Sequence, residues 1–234
     1  MLDQAFEALK TYDWGAEPKT LEPIDEAVVA TRDDAAARQE LEARLVAVLK
    51  TGAPRAAKDF VCRKLQAIGT AASVPALAEL LPDKALSHMA RYALERIPAP
   101  EAAQAMRDAL PKLDNALKVG VMGSLGVRQD AASVPALAAL LGAADATVAR
   151  SSALALGAIR DPESVRALQE AKPESDEVKT AVVDALLGCA EGLLAAGKKS
   201  EAMAVFKAFA GEDQPKHVRL AATRGLLACA GKSD

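Results

Sequence analysis

The sequence is poor in aromatic residues: one Trp, two Tyr and four Phe in 234 residues, or 3%. A core built on large rings is thereby excluded. The hydrophobic half of the chain, 51%, is mostly Ala, Leu and Val, a mixture suited to close stacking of helices. Ala and Leu are also among the strongest helix formers. Cysteine is scarce, and Cys62, Cys189 and Cys229 are far apart and odd in number, so they build neither a disulfide framework nor a metal spacing. Each falls in an apolar helical pattern and reads as a small buried hydrophobe. Neither sign of charge dominates: 29 Lys and Arg stand against 32 Asp and Glu, a net charge of −3, and the signs are mixed along the chain. That speaks against a nucleic-acid partner, which requires a basic face. No apolar run reaches the length of about 18 residues that a membrane span needs, so no membrane partner is expected. The start Met1-Leu2-Asp3-Gln4 does not read as a signal peptide. Cytoplasmic, periplasmic and secreted locations all stay open.

What the sequence does have is repetition. Ser73-Val74-Pro75-Ala76-Leu77 returns as Ser133-Val134-Pro135-Ala136-Leu137, 60 residues later. A fixed spacing of this kind is the mark of stacked repeats. The period is half of that. Leu94, Ile97 and Ala103 lie 29 residues after Leu65, Ile68 and Val74, and Leu156, Ser164 and Leu168 lie 31 after Leu125, Ser133 and Leu137. Each unit reads as a first helix (A), a short turn and a second helix (B). Asp83, Asp114 and Asp145, spaced by 31, stand three residues before Leu86, Leu117 and Val148. Asp at that place accepts a bond from an orphan backbone N–H, so each is expected to cap a B helix.

The run Asp145 to Ile159, with Val148, Arg150, Ala153, Leu156 and Gly157, resembles the second helix of a HEAT repeat, as does Pro215 to Leu226. The Ser-Val-Pro-Ala-Leu start resembles the first. The chain is most similar to the bacterial phycobilisome-lyase-like HEAT subgroup, from about Asp34 onward. The resemblance implies an all-α, right-handed α-solenoid of antiparallel helix pairs with about 14 helices. It is specific for fold and unspecific for function. Residues 190–206 are also similar to a tetratricopeptide hairpin.

Residues 1–31 lie outside the repeat and read as a helical cap with Leu2, Phe6, Leu9, Leu21, Ile24, Val28 and Val29 inward and Trp14 as anchor. A solenoid needs such a cap to cover its first apolar face. Residues 32–234 then form one continuous array, opened by Asp33 or Asp34 as a cap. Asp161-Pro162-Glu163 is a helix start signal, and the tail from Gly231 is expected to fray.

No catalytic, cofactor or metal residues are assigned. His88 and Ser87 are adjacent, and neighbours on a helix diverge, so they form no nucleophile–base pair. Gly120-Val121-Met122-Gly123-Ser124-Leu125-Gly126 lies within a B helix and has neither the preceding strand nor the Lys-Ser/Thr of a phosphate loop.

A surface remains. In HEAT arrays the B helices line the concave side. With Leu86, Ala90, Leu94 and Ile97 inward, His88, Met89, Tyr92 and Arg96 point outward. Arg150 and Leu154 follow at the same positions further along, and Asp59, Phe60 and Arg63 precede them. Phe60, Val119 and Leu154 are expected to be exposed apolar groups, and Gly120 and Gly123 to leave a depression beside Tyr92. Met89 and Tyr92 either pack between neighbouring B helices or open onto a partner groove, since exposed apolar patches rimmed by charge mark partner sites. The expected function is a non-catalytic scaffold, not an enzyme, that binds a protein or peptide through His88, Met89, Tyr92, Arg96, Arg150 and Leu154. The alternatives are an accessory subunit of an enzyme complex, of chromophore-lyase type, and a helical-repeat DNA glycosylase, which the charge opposes.

Overall fold

A computed structural model describes residues 1–231. The expected fraying of residues 232–234 lies outside the described residues. These hold fourteen α-helices and no strand: α1 Leu2–Ala8, α2 Glu22–Ala30, α3 Ala35–Leu49, α4 Arg55–Ile68, α5 Val74–Ala78, α6 Ser87–Arg96, α7 Pro100–Ala109, α8 Asn115–Val127, α9 Val134–Leu140, α10 Ala146–Ile159, α11 Pro162–Glu170, α12 Asp176–Ala195, α13 Lys199–Lys207 and α14 Lys216–Cys229. The fold is all-α and of the α-solenoid class. The helices gather into two compact units, residues 1–124 and residues from Leu125 onward, divided within α8.

The duplicated stretch folds the same way twice. A short 3-10 turn, Ala71–Ser73 or Ala131–Ser133, leads into α5 or α9, with Pro75 and Pro135 in the first helical turn. There a missing N–H costs little. Ser73 and Ser133 are fully buried, as are Leu77 and Leu137. These A helices are shorter than the apolar pattern suggests, 5 and 7 residues against 14 for the B helices α4 and α10. The long helices therefore carry most of the packing surface.

Caps hold the starts of the B helices. Asp145 Oδ1 accepts from the N–H of Thr147 at 2.9 Å and of Val148 at 3.2 Å. Asp114 Oδ1 accepts from Leu117 N–H at 3.0 Å, and this bond holds its carboxyl below the usual range, with Lys84 at 3.3 Å adding to the effect. Asp83 Oδ1 accepts from Ala85 and Leu86, but α6 starts only at Ser87, so Asp83 closes the turn that leads into the helix. Asp34, Asp161 and Ser175 cap α3, α11 and α12 in the same way.

In the first unit a buried carboxylate ties α3 to the following repeat. Glu42, 2% exposed, accepts from Thr70 N–H at 2.7 Å, Thr70 Oγ1 at 3.0 Å and Ser73 Oγ at 2.5 Å. Those three donors replace the water it loses. At the N-terminal end Leu9, Leu21 and Ile24 are buried, and the Arg44 guanidinium lies 4.0 Å from the Phe6 ring centroid and 2.7 Å from Asp3 Oδ1. Trp14 is no anchor: it is 73% exposed, as is Val29, so the two outer apolar residues expected inside face water. The buried side of this segment is aliphatic, and Trp14 sits on the turn beyond α1.

In the second unit α10 lies directly against α12. At Gly157 a Cβ would stand 2.7 Å from Ala185 Cβ and 2.9 Å from its Cα. Only a residue without a side chain permits that approach. Gly157→Leu is therefore expected to lower stability by at least about 1–3 kcal/mol through overpacking, read as a fall in the urea midpoint. Asp145→Ala is expected to cost about 1 kcal/mol through the lost cap. Asp145→Asn, which keeps the acceptor, should recover most of that in the same measurement.

Candidate functional site: the exposed faces of the B helices

Helical register makes His88, Tyr92 and Arg96 one stripe on α6, since residues four apart lie on the same face. Leu86, Ala90, Leu94 and Ile97 are buried, so this stripe turns outward. His88 and Arg96 are exposed, Tyr92 is 38% exposed and Met89 is half-buried beside them. Ser87 is buried while His88 is exposed, so the two diverge as their adjacency requires.

The neighbouring helix α4 presents Arg55 and Arg63 to solvent. Between them Asp59 is buried, 5% exposed, with Oδ2 3.7 Å from Arg55 Nε and no hydrogen-bond partner at Oδ1. Burial pushes its carboxyl up, and the charges of Arg55, Arg63 and His88 pull the other way. Phe60 is not exposed as expected. It is 9% accessible and covered by Lys64, whose Nζ lies 4.4 Å from the ring centroid and pairs with Asp25.

The depression expected at Gly120 is filled. The guanidinium of Arg91 occupies the space a Cβ would take there, and Arg91 Nη1 donates to Gly120 O at 2.9 Å and to Ser124 Oγ at 3.1 Å. Ser124 Oγ in turn donates to Glu95 Oε1 at 2.6 Å. Arg91 was absent from the sequence-derived site. Its signal is a long cation placed 29 residues before a glycine at repeat spacing, so that one fills the gap left by the other. At Gly123, by contrast, the Cβ position is open.

In the second unit Arg150 and Leu154 lie on α10. Arg150 Nε is 3.5 Å from Glu177 Oε1, and Leu154 is 44% exposed. Both line a groove of about 280 Å³ together with Glu177, Thr180, Ala181 and Asp184 of α12. The six sequence-derived residues thus form two patches, four residues on α6 and two on α10, each within its own unit.

The three thiols are buried, and burial pushes Cys62 up to about 12 and Cys189 up to about 11. Among the described residues no three His, Cys, Asp or Glu side chains are grouped to hold a metal ion, and no helix is long and apolar enough to cross a membrane.

Stacked helix pairs with capped B helices and an exposed B-helix face define an α-helical repeat protein. The family model for HEAT repeats matches residues 112–187. No curated protein matches. Among solved structures the chain is similar to human deoxyhypusine hydroxylase in complex with glycerol, at 20% identity and a TM-score of 0.40, over 80% of this chain and 95% of that one. The expectation that the chain is not an enzyme is corrected by this finding, because the protein it is similar to is one. The hydroxylase activity itself belongs to that protein.

The raised thiols predict that a disulfide reagent at mildly alkaline pH labels Cys62 and Cys189 of the folded protein far more slowly than a free thiol, since the thiolate is the reactive form. Full labelling of three sites should follow on unfolding in guanidinium.

Proposed function

We propose that this protein is an interaction scaffold that binds a protein or peptide partner through the exposed faces of its B helices. The observation that supports this most directly is the exposure of Tyr92 and Leu154, at 38% and 44%, at equivalent positions of two B helices whose other large apolar residues are mostly buried. Both are flanked by charge, Tyr92 by His88 and Arg96, and Leu154 by Arg150. Tyr, Arg and Met are residue types enriched at interfaces. Met89, half-buried, supplies an adaptable apolar contact next to Tyr92.

With this reading we place residues 1–31 as the end cap and residues 32–234 as one array. We also place the chain with the phycobilisome-lyase-like HEAT subgroup, on the strength of the Ser-Val-Pro-Ala-Leu starts and the Asp145 to Ile159 helix.

Affinity capture from the native extract with the full chain as bait supplies the partner for the test. Tyr92→Ala combined with Arg150→Glu is expected to leave the far-UV circular dichroism unchanged and to weaken the captured complex by more than about 2 kcal/mol, as a hot-spot residue does, in a titration calorimeter. An unaltered affinity, or no saturable partner at all, overturns the proposal.

A further inference from the structure

The net charge of −3 conceals a local excess of the opposite sign. Helices α4 and α6 together carry six Lys or Arg and two acidic residues. Neither carboxylate serves the surface. Asp59 is buried, and Glu95 is half-buried and accepts from Ser124. Arg63 and Arg96 are exposed, and among the described residues neither forms a salt bridge. His88 and Tyr92 stand on the stripe of α6 that ends in Arg96, Arg63 stands one turn beyond Asp59 on the same face of α4, and α4 packs against α6.

We propose that this face of the first unit is a docking site for an acidic segment of a protein partner. The inference rests on the scaffold reading above and adds the chemistry of the partner. Carboxylates of the segment pair with Arg63 and Arg96. Guanidinium groups are suited to this because they offer a planar fork of donors that matches a carboxylate. An apolar side chain of the segment lies on Tyr92 and Met89, between the two cations. On α8, Gly123 holds the register position that Tyr92 holds on α6, and its Cβ space is open, so a backbone can pass over it. Asp59 beneath the patch lies 3.7 Å from Arg55, so Arg55 is left out of the pairing.

Charge complementarity favours an acidic protein segment over a nucleic acid. Arg63 and Arg96 flank an apolar centre, whereas a nucleic-acid track needs successive stacking rings along a cationic groove. Tyr92 and the His88 imidazole offer two rings on a single helix, and Met89 beside them suits a side chain better than a base.

The test uses the full chain and three fluorescein-labelled probes: a short Glu/Leu peptide, its Lys-for-Glu counterpart, and an oligothymidylate of matched length. The Glu/Leu peptide is expected to bind, to weaken with added salt, and to lose at least about tenfold in affinity in Arg63→Glu with Arg96→Glu, as loss of a paired charge at an interface does. Gly123→Phe, which fills the open space, is expected to weaken it as well, with circular dichroism confirming that both variants fold. Equal binding of the acidic and basic peptides, tighter binding of the oligothymidylate, or no binding of the Glu/Leu peptide overturns the proposal. The scaffold reading fails separately. If the native partner is still captured, survives the Arg63/Arg96 reversal and is lost on Leu154→Asp, the interaction function stands and the acidic-segment assignment falls.

Discussion

Close approach of helix to helix is the constraint on which the rest of this protein depends. A helix pair of a few turns exposes an apolar stripe that it cannot cover alone, so stability comes from stacking one pair on the next. Stacking brings backbones close together, and that selects small residues where helices cross. Gly157 against Ala185 is the clearest case, with no room for even a methyl group. The abundance of Ala and the scarcity of rings follow from the same requirement. A large aromatic side chain fits such a crossing only where the facing residue gives up its own, as Gly225 does under the buried Phe206 ring; elsewhere a ring is covered by a cation, as Phe6 and Phe60 are, or faces water, as Trp14 does.

Polar groups at these crossings are handled by pairing rather than by exposure. Buried serines recur at the start of A helices, where Ser73 donates to Glu42 and Ser133 to Asp130. On the B helices, Ser152 donates to the Leu137 carbonyl at 2.5 Å and Ser124 to Glu95. A hydroxyl is small enough for a tight crossing and can still meet an acceptor: Ser73 and Ser124 reach across to the preceding repeat, Ser152 to the other helix of its own pair, and Ser133 closes its own turn. A buried polar group is tolerated when it has such a partner. Asp59 Oδ1, Ser87 Oγ and Ser164 Oγ have none, and the first two belong to the α4–α6 pair that also carries the cationic face. Two buried polar atoms without a hydrogen-bond partner thus lie on the helices that carry the proposed partner surface.

Charge shows how an average can mislead. Mixed signs and a small net charge spoke against a basic face, but the mixing along the chain becomes partial separation in space. Helical register turns Arg63 and Arg96 outward while the two carboxylates of the same helices turn in. On α12 the relation is reversed, with Glu177 and Asp184 on the exposed side of the groove that holds Leu154.

Local signals determined much of this protein in advance: the all-α class, the helix pairs, the caps at Asp34, Asp114, Asp145, Asp161 and the inward stripe Leu86, Ala90, Leu94, Ile97. Each depends on residues within a few positions of one another, where periodicity and capping chemistry act through a single stretch of backbone. The outward register of His88, Tyr92, Arg96, Arg150 and Leu154 was legible for the same reason. Tertiary structure alone decided what stands opposite each outward position. It buried Asp59 and Phe60, filled the hollow at Gly120 with Arg91, left Trp14 and Val29 in water, and made a groove of Arg150 and Leu154 by setting α12 beside α10. Periodicity along one helix says which way a side chain points. Whether that direction ends in solvent or in a neighbouring side chain depends on how far a residue some 30 positions away reaches across the gap.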